Sequence, residues 1–378
     1  MKLAIGIMSG TSLDGIDIVV AKIKGTSITT EIDLVACETL DFKPELLLKI
    51  KEVIDIKTSN VQKITSLNFE LGDFFAEKVL EVLEKNKINL SEIDFVASHG
   101  QTIWHQADAT KDFVKSTLQI GEGSVLAERL KTTVVSNFRA ADIAAYGNGA
   151  PLVSYFDKLF FSKYNKKISL HNLGGISNLT LLVKGSSISF DTGPANMMIN
   201  YAMKVLFNKD YDCCGNVAKK GKIIQAMYDE VMSLDYFNKP YPKTTGRELF
   251  GDNYTQKLID KYIKKSKEDI ITTLSLITID SIINEYKKLE NEFGLIDEIV
   301  FSGGGVHNEF IISKIKEGLV KTEISKIEKY GLSSDFKEAI AFIVLGNETL
   351  NFLPGNDISS TGAKKRAILG QVNYYFEE

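Results

Sequence analysis

A chain of 378 residues with 44% hydrophobic and 25% charged residues has the composition of a soluble globular protein, and it exceeds the size one core usually serves, so two domains are the default. Its net charge of −4, with lysines and arginines scattered, excludes a nucleic-acid or anionic-membrane surface. The three cysteines, Cys37, Cys213 and Cys214, make no disulfide framework, and no apolar run approaches a membrane span; both point to a reducing cytoplasm rather than secretion or membrane insertion.

In chain order, the apolar start Leu3-Ala4-Ile5 and the run Ile18–Ile23 predict a hairpin across a turn of Gly, Ser, Thr and Asp. Apolar residues from Val61 to Val82 fall at helical spacing, with Asn60 placed to cap. Ile93–Ala97 reads as a buried strand, with Ser98-His99-Gly100-Gln101-Thr102 just beyond its end; a helix near 121–131 and the strand Thr133–Val135 follow. A second hairpin joins 168–173 to 176–182 across Gly174-Gly175, and a strand at 188–190 ends at Asp191-Thr192-Gly193-Pro194, ahead of a helix at 195–207. Helices are expected near 218–233, 252–265 and 268–290, a strand at 298–301 and a last helix near 336–351.

Three glycine-rich turns lie at strand ends, at 9–15, 172–178 and 302–308, where ligands gather in open α/β sheets. A concave array of backbone N–H groups and hydroxyls suits a polyphosphate, and Asp14 and Asp17 are placed to hold Mg²⁺. The first turn is not a Walker loop, since no Lys follows its glycines and a strand comes next. Three such turns split between two halves fit a cleft that grips a triphosphate. Glycines that merely mark tight turns are the alternative for any one of them.

The chain resembles the anhydro-N-acetylmuramic acid kinase family, a branch of the actin–hexokinase–Hsp70 superfamily. The resemblance rests on residues 8–17, 98–102, Asn137-Phe138-Arg139-Ala140-Ala141-Asp142, 172–178, 191–194, 302–308 and Glu338-Ala339-Ile340-Ala341-Phe342, all in the family's order. One departure is Ala195, where members often have Gly. The resemblance implies an α/β, two-domain actin-like (ribonuclease H-like) fold with an interdomain nucleotide cleft. The expected domains are 1–140, with 355–378 free to pack back on it, and 141–354. It implies a cytoplasmic homodimer in cell-wall recycling that uses ATP and Mg²⁺ to hydrolyse the 1,6-anhydro ring of an anhydro amino sugar and phosphorylate O6.

By the same resemblance, Asp191 is the catalytic base. ATP is bound by Gly10, Thr11, Ser12, Leu13, Asp14, Gly15, Ile16, Asp17, Asn172, Gly174, Gly175, Ser302, Gly303, Gly304, Gly305 and Asn308, with Asp14 at the metal. The sugar is met by His99, Gln101, Thr102, Arg139 and Glu338. Other readings stay open for several of these residues. Asp191 is also a good turn residue before Gly-Pro; Arg139 has Asp142 as a nearby partner; and Asp335-Phe336-Lys337-Glu338 matches a capping box that would make both acids structural. His171 and His307 are expected in structural hydrogen bonds, no transition-metal site is expected, and Cys213-Cys214 is read as a packed or loop pair. A kinase for another anhydro sugar such as levoglucosan is the alternative, as is a sugar-independent ATPase of the same superfamily. The anhydro-sugar motifs argue against a carboxylate kinase of the acetate type.

Overall fold

The computed structural model describes residues 1–10, 13, 15–164, 166–183 and 186–377. The chain opens with β1 (Lys2–Ser9), β2 (Ile16–Lys24), β3 (Glu31–Leu40), α1 (Pro44–Ile54) and α2 (Val61–Lys85). It continues through β4 (Phe95–Gln106), β5 (Ser116–Ile120), α3 (Gly123–Leu130), β6 (Thr133–Ser136), α4 (Phe138–Ala144) and α5 (Val153–Phe161). Next come β7 (Ile168–Leu173), β8 (Ile176–Val183), β9 (Ser186–Pro194), α6 (Asn196–Phe207), α7 (Gln225–Met232), α8 (Arg247–Phe250), α9 (Asp252–Tyr262) and α10 (Lys267–Phe293). The remainder is β10 (Glu298–Ser302), α11 (Glu309–Gly318), β11 (Glu323–Lys326), α12 (Lys337–Leu350), α13 (Ile358–Thr361) and β12 (Gln371–Asn373).

Residues 1–163 with 336–378 form one unit and 164–335 the other. In the first, strands run in the order β12-β6-β4-β1-β2-β3, with β5 on β4; β1–β2–β3 is an antiparallel meander and β4 joins β1 in parallel. In the second the order is β11-β10-β7-β8-β9, again an antiparallel meander, β7–β8–β9, whose first strand pairs in parallel with β10. The same arrangement, a meander whose first strand pairs in parallel with a later strand, recurs in both units.

Each sheet buries its own core. In the first unit Ile5, Ile7, Ile18 and Val20 pack with Phe74, Phe75 and Val79 of α2, whose N-terminus Asn60 caps by accepting from the Lys63 N–H at 2.9 Å. In the second, Leu179, Leu181 and Phe301 meet Ile271, Leu274 and Tyr286 of α10. Among the described residues no helix is long and apolar enough to cross a membrane.

The expected boundaries near 140 and 354 move to 163 and 335. The reason is α12, which lies directly on the first sheet: a Cβ on Gly6 of β1 would sit 2.1 Å from the Ala339 carbonyl oxygen, and one on Gly346 would sit 2.9 Å from the Ala97 Cβ. An apolar helix announces burial but not which sheet it covers. The C-terminal β12 pairs with β6. Two local expectations also change. Residues 98–102 are not a loop beyond a strand but part of β4, which runs on to pair with β5. The helix expected over 218–233 is confined to α7, 225–232.

Candidate functional site

In the first unit the site is built where the pairing of β1 with β4 ends, at Ser9 and Gln101. The register between them slips at Ile7–Ser9, so that Gly100, at φ 76°, takes up an extra residue. Ser9 Oγ donates to Gln101 Oε1 at 2.5 Å, and Gln101 Nε2 donates to the Gly10 carbonyl at 3.2 Å, so Gln101 ties down the start of the first glycine turn. Thr11, Ser12 and Asp14 of that turn lie outside the described residues. Of its remaining members, Leu13 and Gly15 have φ 59° and 148°. Ile16 is buried in the core, and Asp17 accepts from Thr39 Oγ1 at 2.6 Å.

His99 fixes Arg139. Its Nδ1 lies 3.2 Å from the Ser9 carbonyl, which can only accept, so Nδ1 carries the proton and Nε2 is bare. Arg139 Nε donates to that bare nitrogen at 2.9 Å. Burial and the guanidinium charge together push the His99 pKa down to about 3, so the ring stays a neutral acceptor, tilted against Phe342 at 4.8 Å. Arg139 Nη1 donates to the Gly149 carbonyl at 2.7 Å. The alternative partner, Asp142, is committed elsewhere: its buried carboxylate accepts from the Gly149 N–H, Asn356 Nδ2 and Thr361 Oγ1, each at 2.8 Å.

Glu338 is not a capping residue. α12 begins at Lys337 with Phe336 at the N-cap position and no side-chain cap bond. The start of the helix is set instead by Lys337, whose Nζ donates to the buried Asp157 of α5 at 2.8 Å. Glu338 is exposed by its accessible surface, yet its carboxyl is crowded by surrounding protein, as on a concave wall. That crowding raises its pKa, and Arg139 opposes the rise from beyond ion-pair distance.

A cavity of about 430 Å³ opens beside Ser98, His99, Gly100, Gln119 and Asn137. Two polar atoms there have no partner among the described residues: Ser98 Oγ, in a residue 1% exposed, and Gln119 Oε1. Buried polar atoms are nearly always paired in folded proteins, so an orphaned donor and an orphaned acceptor beside one cavity point to a ligand with the complementary pair. Thr102 Oγ1 accepts from Gln119 Nε2 at 3.3 Å, which links the predicted residue to this cavity.

In the second unit, the β8–β9 register slips beside Thr192, and Asp191 comes to lie opposite Asn178. One Asp191 oxygen, Oδ2, accepts from the Thr245 N–H at 2.9 Å, and the Asp191 carbonyl accepts from Tyr236 Oη at 2.6 Å. Half-burial raises the Asp191 pKa and Glu248 adds to the rise, while the Thr245 N–H pulls it back. The segment supplying Thr245 is anchored by Lys243, which donates to the buried Glu285 at 3.0 Å. Below, Tyr286, His171, Ser177 and Thr192 form a buried chain of hydrogen bonds, with His171 Nε2 2.7 Å from Ser177 Oγ. The Asp191 carboxylate therefore sits on a rigid floor. His171 is the structural histidine expected; burial brings its pKa down to about 3.

The second and third glycine turns meet. The Gly174 and Gly175 carbonyls accept N–H groups of Ala195, Asn196 and Met197 at 3.0 Å, so the oxygens that would repel a phosphate are tied back onto α6. A Cβ on Gly303 (φ 84°) would lie 2.4 Å from Asn172 Oδ1, and one on Gly305 would lie 2.6 Å from the Leu173 Cβ. Only glycine permits this approach. Ser302 is buried at the end of β10. Asn308 turns its side chain into α11, accepting from the Ile311 N–H at 3.2 Å, so it serves as an N-cap. Gly304 and Asn308 border a second cavity, of about 390 Å³, with Asn196 and Ile199. His307, expected in a structural hydrogen bond, is exposed at its rim, and its side chain makes no hydrogen bond among the described residues.

The residues 243–248 and the pair Ser98/Gln119 were not legible as site residues. The run Lys243-Thr244-Thr245-Gly246-Arg247-Glu248, a polar, glycine-containing stretch between apolar segments, was the available signal for the first; orphaned atoms leave none. Among the described residues no cluster of three or more His, Cys, Asp or Glu could hold a metal ion.

Comparison with known proteins identifies the family. The profile of the family described as anhydro-N-acetylmuramic acid kinase matches residues 2–375. The chain is 49% identical over 378 residues to the anhydro-N-acetylmuramic acid kinase of Francisella tularensis subsp. novicida, covering 99% of both chains. It is 44% identical over 373 residues to that of Clostridioides difficile, covering 98% of this chain and 97% of the relative. It is 41% identical over 377 residues to that of Bacillus thuringiensis, covering 98% of each.

Proposed function

The chain belongs to the anhydro-N-acetylmuramic acid kinase family, and from that premise we propose how its residues divide the work of the family's reaction. The chain is an ATP-dependent kinase that adds water across the 1,6-anhydro bond of anhydro-N-acetylmuramic acid and phosphorylates O6, a step in peptidoglycan recycling. Water attacks C1 as a base takes its proton; the C1–O6 bond breaks; O6 takes the γ-phosphoryl group, and ADP leaves. Atoms balance as sugar plus ATP plus water giving the 6-phosphate, ADP and a proton.

Asp191 is the base in this reading. The observation that carries it is the asymmetry of its carboxylate: Oδ2 is held by the Thr245 N–H, and the raised pKa gives it more appetite for a proton than a free Asp. The Gly174-Gly175 and Gly303–Gly305 turns supply N–H groups to the nucleotide phosphates, and the Gly10–Asp17 turn is assigned to ATP by family membership. Mg²⁺, when bound with the triphosphate, screens its charge, and Asp14 is the residue proposed to hold it. The chain works in the cytoplasm, where ATP is available, as a homodimer; both statements rest on family membership.

The sugar is read beside β4 and β5. An acetamido group has one N–H and one C=O, which match the unpartnered Gln119 Oε1 and Ser98 Oγ. Arg139 meets the lactyl carboxylate. Two of its three nitrogens are already bonded, so the carboxylate is met end-on by the remaining N–H groups of Nη1 and Nη2. Glu338 lies across from it as a hydrogen-bonding wall.

The test is ATP consumption across a panel of anhydro and reducing sugars, with the product identified by mass. The expected product carries one phosphoryl group and one water more than the anhydro sugar. Preference for levoglucosan, or ATP turnover without sugar, would overturn the assignment. A second expectation concerns pH. The base must be ionised, so kcat falls as pH drops through the Asp191 pKa. Glu248 repels negative charge on Asp191 and raises that pKa. In Glu248→Gln the acid limb of kcat should therefore move to lower pH, and a limb left in place or moved upward would contradict this electrostatic role.

A further inference from the structure

Cys213 and Cys214 take no part in the chemistry above, yet their sulfurs lie 3.8 Å apart and both border the 390 Å³ cavity beside Gly304. Cys213 is exposed and Cys214 half-buried. The turn that carries them is fixed at both ends. Asp212, 5% exposed, accepts the N–H groups of Val217 and Ala218 at 2.8 and 2.9 Å. A Cβ on Gly215, at φ 69°, would lie 2.4 Å from Asn308 Oδ1, so this turn abuts the start of α11 just after the third glycine turn.

We propose that Cys213 and Cys214 form a dithiol site for trivalent arsenicals at the mouth of the nucleotide pocket, an inference that rests on the assignment of the Gly303–Gly305 turn to ATP. Direct disulfide formation would have to draw the sulfurs from 3.8 Å to about 2.0 Å within one rigid turn. An atom that bridges two sulfurs needs no such collapse. With an arylarsine oxide, two As–S bonds form, the As=O bond breaks, and its oxygen leaves as water with the two thiol protons. No oxidation state changes and no further reagent is consumed. The adduct fills the cavity bordered by Ile199, Tyr211, Gly304 and Asn308 and so excludes the nucleotide.

The experiment treats the full chain with stoichiometric phenylarsine oxide and measures intact mass. The expected result is one adduct, of reagent mass less one water, that survives excess glutathione and is removed by a dithiol. Cys213→Ser and Cys214→Ser should each lose the glutathione-resistant adduct, and Cys37→Ser should keep it. ATP at about tenfold over its Kd should slow adduct formation roughly tenfold by mass action. A resistant adduct on either single variant, or none on the parent chain, overturns the dithiol site whether or not ATP binds. An adduct that forms on both sulfurs but is indifferent to ATP overturns instead the placement of the nucleotide at this cavity.

Discussion

Asp191→Asn is expected to lower turnover at least about 10³-fold while leaving ATP binding intact, the loss typical of a positioned base. The substitution isolates chemistry from structure. An Asn carbonyl oxygen can still accept the Thr245 N–H that holds Oδ2, and the carbonyl bond from Tyr236 does not involve the side chain. The floor beneath, from Tyr286 through His171 to Thr192, is untouched. What is lost is the capacity to take a proton from water. Turnover and ATP affinity measured side by side decide it: near-parental turnover would contradict the assignment, and lost ATP binding would show a damaged fold.

Arg139→Ala is expected to cost roughly 1.5–3 kcal/mol in transition-state binding, the range of a charge-assisted contact. That is about 10–100-fold in kcat/KM. Anhydro-N-acetylglucosamine lacks the lactyl carboxylate, so its slower turnover should be nearly indifferent to the substitution. Equal losses on both sugars would make Arg139 structural. Its partner would then be His99 rather than Asp142, which is satisfied by Gly149, Asn356 and Thr361.

How far these residues could be read from the sequence depends on the distance over which each is held. The paired hairpins at 3–23 and 168–182 were legible, because apolar runs broken by Gly, Ser and Asn are local signals. β3 was not seen: at the sheet edge its residues are exposed or half-buried, with only Ala36 buried, so no buried apolar run marks it. Asp191 stood out at a strand end, but Thr245, which orients it, lies 54 residues away. The His99–Arg139 bond spans 40 residues, and no pattern in either segment specifies it. Glu338 shows the opposite failure. Its segment satisfies the capping-box pattern, but the Lys337–Asp157 bond, across 180 residues, sets the helix start one residue too late for Asp335 to cap.

In the proposed reaction one water enters the sugar at C1 while O6 receives the phosphoryl group. The most direct test runs the reaction in ¹⁸O-labelled water and locates the label by mass before the open-chain aldehyde exchanges oxygen with solvent. One ¹⁸O is expected at C1 of the sugar 6-phosphate and none in the transferred phosphoryl group. An unlabelled C1, or label in the phosphoryl group, would contradict that reaction.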